Sequence, residues 1–290
     1  MTVLTWDDTG KRLYETGVDR GVLYPLNPAT NLYDVGVSWN GLTTVTESPA
    51  GADANPSYAD NIKYLNLLAA ETFGGTVEAY TYPDEFGACD GTFRPYAGVN
   101  VGQQARQTFG LYFRTKIGND QNPDLGFKHH LLYGLLASPS DRAYASINDS
   151  PAAVGFSWAV TSQPIAVSGY RPVSQIVIDS TEVTATALST LTDFLYGTAG
   201  TTASLPMPAS VLAIFAAALT LATPTVPTYN SSTDIITIPS ITGVDYYIDG
   251  VKVPSGSFGP ITASKVVHAR PAVGYKFPDP GVYDYLITFS

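Results

Sequence analysis

Four groupings of residues in this chain have the types that chemistry needs. Asp8-Thr9-Gly10 spells the triplet in which aspartic proteases hold a catalytic carboxylate. That reaction requires two carboxylates sharing one proton across a symmetric site, and no second Asp-Thr/Ser-Gly occurs. A homodimer would have to supply the other, and between Asp7 and Lys11 the triplet reads as a polar turn. His129-His130 is the one histidine pair. Neighbours on a strand point to opposite faces, so the two cannot readily ligate one ion, and structural histidines are expected. Glu78, Asp84, Glu85 and Asp90 gather acids near one strand end. Calcium binding or acid/base work is conceivable there, but a solvated acidic edge is the expectation. Asn148-Asp149-Ser150 and Asn230-Ser231-Ser232 match glycosylation sequons. The first fifteen residues carry Asp7, Asp8, Lys11, Arg12 and Glu15 and no secretory apolar segment, so the sequons are read as incidental.

Other catalytic signatures are missing. There is no Gly-x-Ser-x-Gly, Walker loop, dinucleotide glycine fingerprint or Cys-x-x-Cys. Gly36-Val37-Ser38-Trp39-Asn40 fails the nucleophile elbow at its last residue and lies inside an alternating segment. A lone Cys89 makes no internal disulfide and no thiolate metal site. The expectation is a protein that is not an enzyme, with no cofactor and no metal.

The elements that would have to position any site are those of a β protein. The chain has 290 residues, 44% apolar and only 14% charged, enough for a core and too apolar for global disorder. Nineteen tyrosines, 26 glycines and 21 prolines are residues of strands and turns. The net charge of −10 argues against a face that grips phosphates. The most apolar run, Val211 to Ala222, has twelve residues where a membrane span needs about twenty, so it is read as a buried helix capped by Ser210.

Period-two alternation marks strands over Tyr33 to Asn40, Thr76 to Tyr82, Thr108 to Ile117 and Val154 to Thr161; Phe127 to Ala137 reads as the return strand after the Gly118-Asn119-Asp120 turn, and Val173 to Ile178 as one more short apolar segment. Glu47 to Ala59, with Pro49, Gly51, Asp53, Asn55 and Pro56, reads as a long exposed loop, and Ile62 to Phe73 as a short helical or extended stretch. Val183, Ala187, Leu191, Phe194 and Leu195 recur at helical spacing before Gly197. A Pro/Thr-rich stretch from Thr223 to Thr228 suggests a linker. Beyond it, short strands and the Asp249-Gly250 turn predict a small β-sandwich. The first 222 residues carry a net charge of −9 and the remainder −1.

The ordered features resemble the major tail tube subunits of long, flexible-tailed (siphovirus-type) bacteriophages, especially those of actinobacterial hosts. The residues that carry the resemblance are Trp39-Asn40-Gly41, the run Glu78-Ala79-Tyr80-Thr81-Tyr82-Pro83-Asp84-Glu85-Phe86, and Cys89-Asp90-Gly91. Tyr170-Arg171-Pro172, Ile176-Val177-Ile178-Asp179-Ser180 and Leu195-Tyr196-Gly197 follow in that order. The resemblance implies a mainly β fold: a tail-tube β-sandwich or barrel with a flanking α-helix over residues 1–222. Residues 223–290 resemble the immunoglobulin-like decorations of phage tail subunits, though the Cys–Trp–Cys pattern of antibody domains is absent. Six-membered rings would stack into a hollow tube in the virion, assembled in the host cytoplasm, without membrane. Its partners would be other copies of itself, a tape measure protein inside, terminator and distal tail proteins at the ends, and viral DNA passing without specific binding.

In such proteins a loop between barrel strands grips the next ring. The matching interval is 47–73, with Pro49, Gly51, Asp53, Asn55, Tyr58 and Lys63 as candidate contact residues, and residues 1–13 form a second candidate arm. Asp34, Ser38, Asn40, Thr76 and Glu78 are the candidate lumen lining, where like charge would keep DNA from sticking. The other reading turns these acids outward or against a neighbouring subunit. The rival function is a carbohydrate- or virion-binding β module such as a capsid decoration protein.

Overall fold

The computed structural model describes residues 6–51, 54–68, 71–147, 153–272, 274–278 and 283–289. The chain is mainly β and divides into two compact units. One comprises Gly10–Thr181 and Ser189–Leu212, the other Glu182–Leu188 and Ala213–Ser290 with Met1–Thr9.

In the first unit the strands are β1 (Tyr14–Asn27), β2 (Leu42–Glu47), β3 (Ala54–Ala59), β4 (Ile62–Leu68), β5 (Gly74–Ala79), β6 (Phe109–Gly118), β7 (Gly126–Ala137), β8 (Phe156–Ser162) and β9 (Gln175–Asp179). An antiparallel sheet runs β1–β6–β7–β8–β5–β2, and β9 also pairs with β7. With β6 along one edge of β7, β9 and β8 share the other: β9 takes Lys128 to Leu132 and β8 takes Leu135 to Ala137. Gly134 is the point of divergence. It has a φ of +62°, and a Cβ there would lie 2.3 Å from the Gln163 carbonyl oxygen, so the handover requires glycine.

β1 escapes the alternation test for a physical reason. Gly21-Val22-Leu23-Tyr24 is buried on both faces and reads as a continuous apolar run. Two irregularities, between Thr16 and Asp19 and between Asp19 and Val22, break the period further. The expected strand over Tyr33 to Asn40 is only two short pieces, Leu32–Tyr33 and Val37–Ser38, each laid along β1. Between them the chain turns aside, the Asp34 amide donating to the Pro25 carbonyl and the Gly36 amide to that of Ala203.

The core between the two halves of the sheet joins Leu23, Leu111, Phe113 and Leu132 to Val77, Trp158 and Val160. Trp158 is its centre, tilted against Phe86 at 5.0 Å, Tyr82 at 5.4 Å and Trp39 at 5.7 Å between ring centroids. Such edge-to-face rings add to plain burial. On the opposite side of β1 and β6 lies the C-terminal half of helix α1 (Ala185–Tyr196). Leu191 and Leu195 are fully buried, the Tyr24 hydroxyl donates to the Leu195 carbonyl at 2.5 Å, and Gly197 follows at a φ of +75°.

Helix α2 (Pro208–Ala217) begins two residues before the expected cap, so Ser210 lies within its first turn. Proline suits that start, because its missing N–H is one the helix leaves unpaired. Burial on all sides is also corrected: only Pro208 and Val211 are fully buried.

The second unit holds β10 (Thr228–Asn230), β11 (Ile235–Ile238), β12 (Val244–Ile248), β13 (Val251–Val253), β14 (Gly256–Phe258), β15 (Lys265–Pro271) and β16 (Tyr283–Ile287). Sheets β10–β11–β14 and β13–β12–β15–β16 share a core in which Ile236 and Ile238 join Tyr246, Ile248 and Val267. This is a small β-sandwich. Asp249 and Gly250, both at positive φ, make the tight turn of β12–β13.

Candidate functional site

The interval read as a loop contains a β-hairpin. Among the described residues strands β3 and β4 pair only with each other, around a two-residue turn in which Asp60 and Asn61 take φ of +50° and +64°. Asp-Asn is turn chemistry, but Pro56 and Asn55 concealed the strand before it; proline is tolerated on a ribbon that has an open edge. The hairpin leaves the sheet through the pairing of Ala50 with Thr72, continuing β2 and β5.

Its side chains are almost entirely in solvent. A register shift at Tyr64 puts Ile62, Leu65 and Leu67 on one face of β4, opposite Ala59, Ser57 and Asn55, and Leu68 on the other, with Tyr64 at 70% and Leu68 at 69% exposure. A two-stranded ribbon is marginal alone, and one with apolar residues on both faces has no side suited to water. Of the candidate contacts, Asn55, Tyr58 and Lys63 lie on this ribbon, and Tyr58 and Lys63 face each other across it. Pro49 and Gly51 precede it, and Asp53 lies outside the described residues. Of the two readings of Ile62 to Phe73, the extended one holds over Ile62–Leu68; Leu65 and Leu68 also fit helical spacing, and no partner strand was visible in the sequence.

A second ribbon was missed altogether. Among the described residues Phe93–Tyr96 pairs only with Val99–Val101, turning at Gly98 with a φ of +78°. Phe93, Tyr96, Val99 and Val101 are all exposed, Tyr96 at 75%. Its root is held by the Thr92 amide on the Gly87 carbonyl, the Gln104 amide on the Gly91 carbonyl, and the Arg94–Asp84 ion pair.

The five candidate lumen residues separate into two places. Thr76 and Glu78 share the outer face of β2, β5 and β8, in cross-strand rows Thr44–Glu78–Ser157 and Thr46–Thr76–Ala159. Val77 points the other way, into the core, with Val45 and Trp158 opposite it. The result is a hydroxyl-rich surface with a single carboxylate in those rows. Asp34, Ser38 and Asn40 are exposed elsewhere: Asp34 accepts from the Asn27 amide at 3.1 Å, Ser38 pairs with Val22 of β1, and Asn40 precedes β2.

Of the other groupings, the sequon Asn148-Asp149-Ser150 lies outside the described residues, and the triplet, the histidines and Asp90 have structural partners. Gly10 donates its amide to the Asp120 carboxylate at 2.9 Å and accepts from the Asn119 side-chain amide at 2.8 Å, so the Asp-Thr-Gly triplet ends in an anchored turn. His129 and His130 are buried on opposite faces of β7. His129 Nδ1 meets the Tyr112 hydroxyl at 2.6 Å, and that hydroxyl meets Tyr196 at 2.7 Å. Burial pulls His129 down to about 4, so it is neutral at pH 7. His130 stacks on Phe113 and reaches Thr115 at 2.9 Å and Glu15 at 3.3 Å. The expected solvated acidic edge is corrected at Asp90, which is buried between Arg106 and Arg142. Those arginines come from distant parts of the chain, which no local pattern reveals. Cys89 beside it is buried, and burial, with the Asp90 charge second, pushes its thiol up to about 12.

Among the described residues no group of three or more His, Cys, Asp or Glu is placed to hold a metal ion, and no helix is long and apolar enough to cross a membrane. No protein-family model matches the chain, and no curated protein matches it.

Proposed function

We propose that this chain is a structural virion protein, a major tail tube subunit whose copies stack into a hollow conduit for viral DNA. The observation that carries the reading is the β3–β4 hairpin: a ribbon apolar on both faces and exposed along its length, beside a body with a well-packed core. Such a ribbon costs free energy in water and is stabilised when another surface covers it.

Two further features support the reading. Among the described residues β9 presents Ile176-Val177-Ile178 with only its β7 edge paired, and no lysine or proline within the strand blunts the other edge. A neighbouring strand would satisfy it. The rows around Thr76 and Glu78 offer hydroxyls and a carboxylate without arginine or lysine, a surface that sheds phosphate. In the tube this face lines the channel, and conduction depends on its failing to bind.

The test is microscopy of the purified protein in negative stain, across protein and salt concentration. Rings or hollow rods are expected. Compact monomers under every condition would overturn the proposal in favour of a binding module.

A further inference from the structure

The two exposed ribbons leave opposite ends of one strand. The β3–β4 hairpin enters β5 at Gly74, where the Ser48 amide donates to the Gly74 carbonyl. The Phe93–Val101 hairpin belongs to the segment that follows Ala79 at the other end, where the Tyr80 amide donates to the Gly41 carbonyl and Trp39 Nε1 to Thr81. Six residues of extended chain separate these ends by roughly 20 Å. The unit is therefore polar along β5, with an apolar arm at one end and an apolar ribbon at the other.

We infer that the Phe93–Val101 hairpin is the receiving surface for the β3–β4 hairpin of a second copy of this chain, so that copies add head to tail. This rests on the assembly reading above and names the surface that reading lacks. The chemistry of the two ribbons matches. Ile62, Tyr64 and Leu68 supply apolar side chains at the donor end, and Phe93, Tyr96 and Val99 supply them at the receiver. The donor's one cation is Lys63, next to the turn, while the receiver's root carries the exposed carboxylate of Glu85 beside the Arg94–Asp84 pair. Lys63 against Glu85 fixes the direction in which two apolar ribbons meet. Because donor and receiver differ, the contact is heterologous and does not close on itself in a pair, which is what growth of a filament needs.

The experiment compares three proteins: the wild type, a donor variant (Tyr64→Ser with Leu68→Ser) and a receiver variant (Phe93→Ser with Tyr96→Ser). All substituted side chains are exposed, so unchanged circular dichroism and melting are expected. Each variant alone should form no rods, while an equimolar mixture should form a short, discrete complex, since one partner keeps a receiver and the other a donor. As a second readout, Tyr64→Cys and Tyr96→Cys proteins should form an intermolecular disulfide when mixed and not separately; the native Cys89 is buried. Rods of normal length from the receiver variant, with none from the donor variant, overturn this inference and leave the assembly reading standing. A wild type that never forms rods overturns both.

Discussion

Arg114 lays its guanidinium fork along both carboxylate oxygens of Asp19, Nε to Oδ1 at 2.8 Å and Nη2 to Oδ2 at 2.7 Å. The two residues are direct partners in the β1–β6 ladder, and Asp19 sits between the two irregularities of β1. The pair thus pins the longest strand where its backbone register is weakest. The Phe127 ring lies 4.9 Å from the guanidinium, adding a cation–π contact.

The hydrogen bonds from Arg114 hold the Asp19 carboxyl below its ordinary value. A depressed carboxylate stabilises the fold above the unfolded-state value near pH 4 and loses that contribution as pH falls through the folded value. Asp19→Asn should lower stability at pH 7 by about 1 kcal/mol, since the partly exposed carboxylate is screened by solvent. It should also flatten the acid limb of the unfolding curve, measured by denaturant titration between pH 3 and 7. An unchanged acid limb would show that the pair does not hold β1.

His129 gives a second, separable pH dependence. Its folded value is depressed to about 4 by burial, while the unfolded imidazole titrates near 6.5. Between these values the unfolded chain binds a proton that the folded one refuses, so stability is full above pH 6.5 and declines as pH falls. At pH 5 the loss is about 2 kcal/mol. His129→Gln should remove this slope between pH 6.5 and 5; a slope equal to wild type would assign the dependence to another group.

Trp158 should be the most costly single truncation in the first unit. It is 1% exposed and touches Trp39, Tyr82, Phe86 and Phe156 through its rings. Trp158→Ala should cost about 3–5 kcal/mol by calorimetry or denaturant melts. A loss below about 1 kcal/mol would mean the aromatic cluster collapses around the gap.

In the second unit, Tyr246 clips the start of the sandwich. Its hydroxyl donates to the Thr225 carbonyl at 2.7 Å and accepts from the Thr225 amide at 3.0 Å. Tyr246→Phe should lower the stability of this unit by about 1–2 kcal/mol, because a backbone amide and a carbonyl lose their partner together. Hydrogen exchange at the Thr225 amide reads it directly: protection equal to wild type would refute the clip.

Strands β5, β6 and β8 were legible from period two and helix α1 from period 3.6, because these are written locally in the residues that meet one core; β7 was legible as the return after the Gly118-Asn119-Asp120 turn, β9 as a short apolar segment, and the C-terminal sandwich from its short strands and the Asp249-Gly250 turn. The mainly β class followed from the same pattern and from the tyrosine and glycine content. What the residues could not reveal is which pattern has a partner. Val22 to Tyr24 are buried on both faces and the β4 leucines on neither, yet both read simply as apolar chain. Asp90 became a buried ion-pair hub, and Thr76 parted from Asp34. Burial and charge pairing depend on strands brought together from far along the chain, so tertiary structure alone decided which apolar residues are core and which stand exposed for another surface.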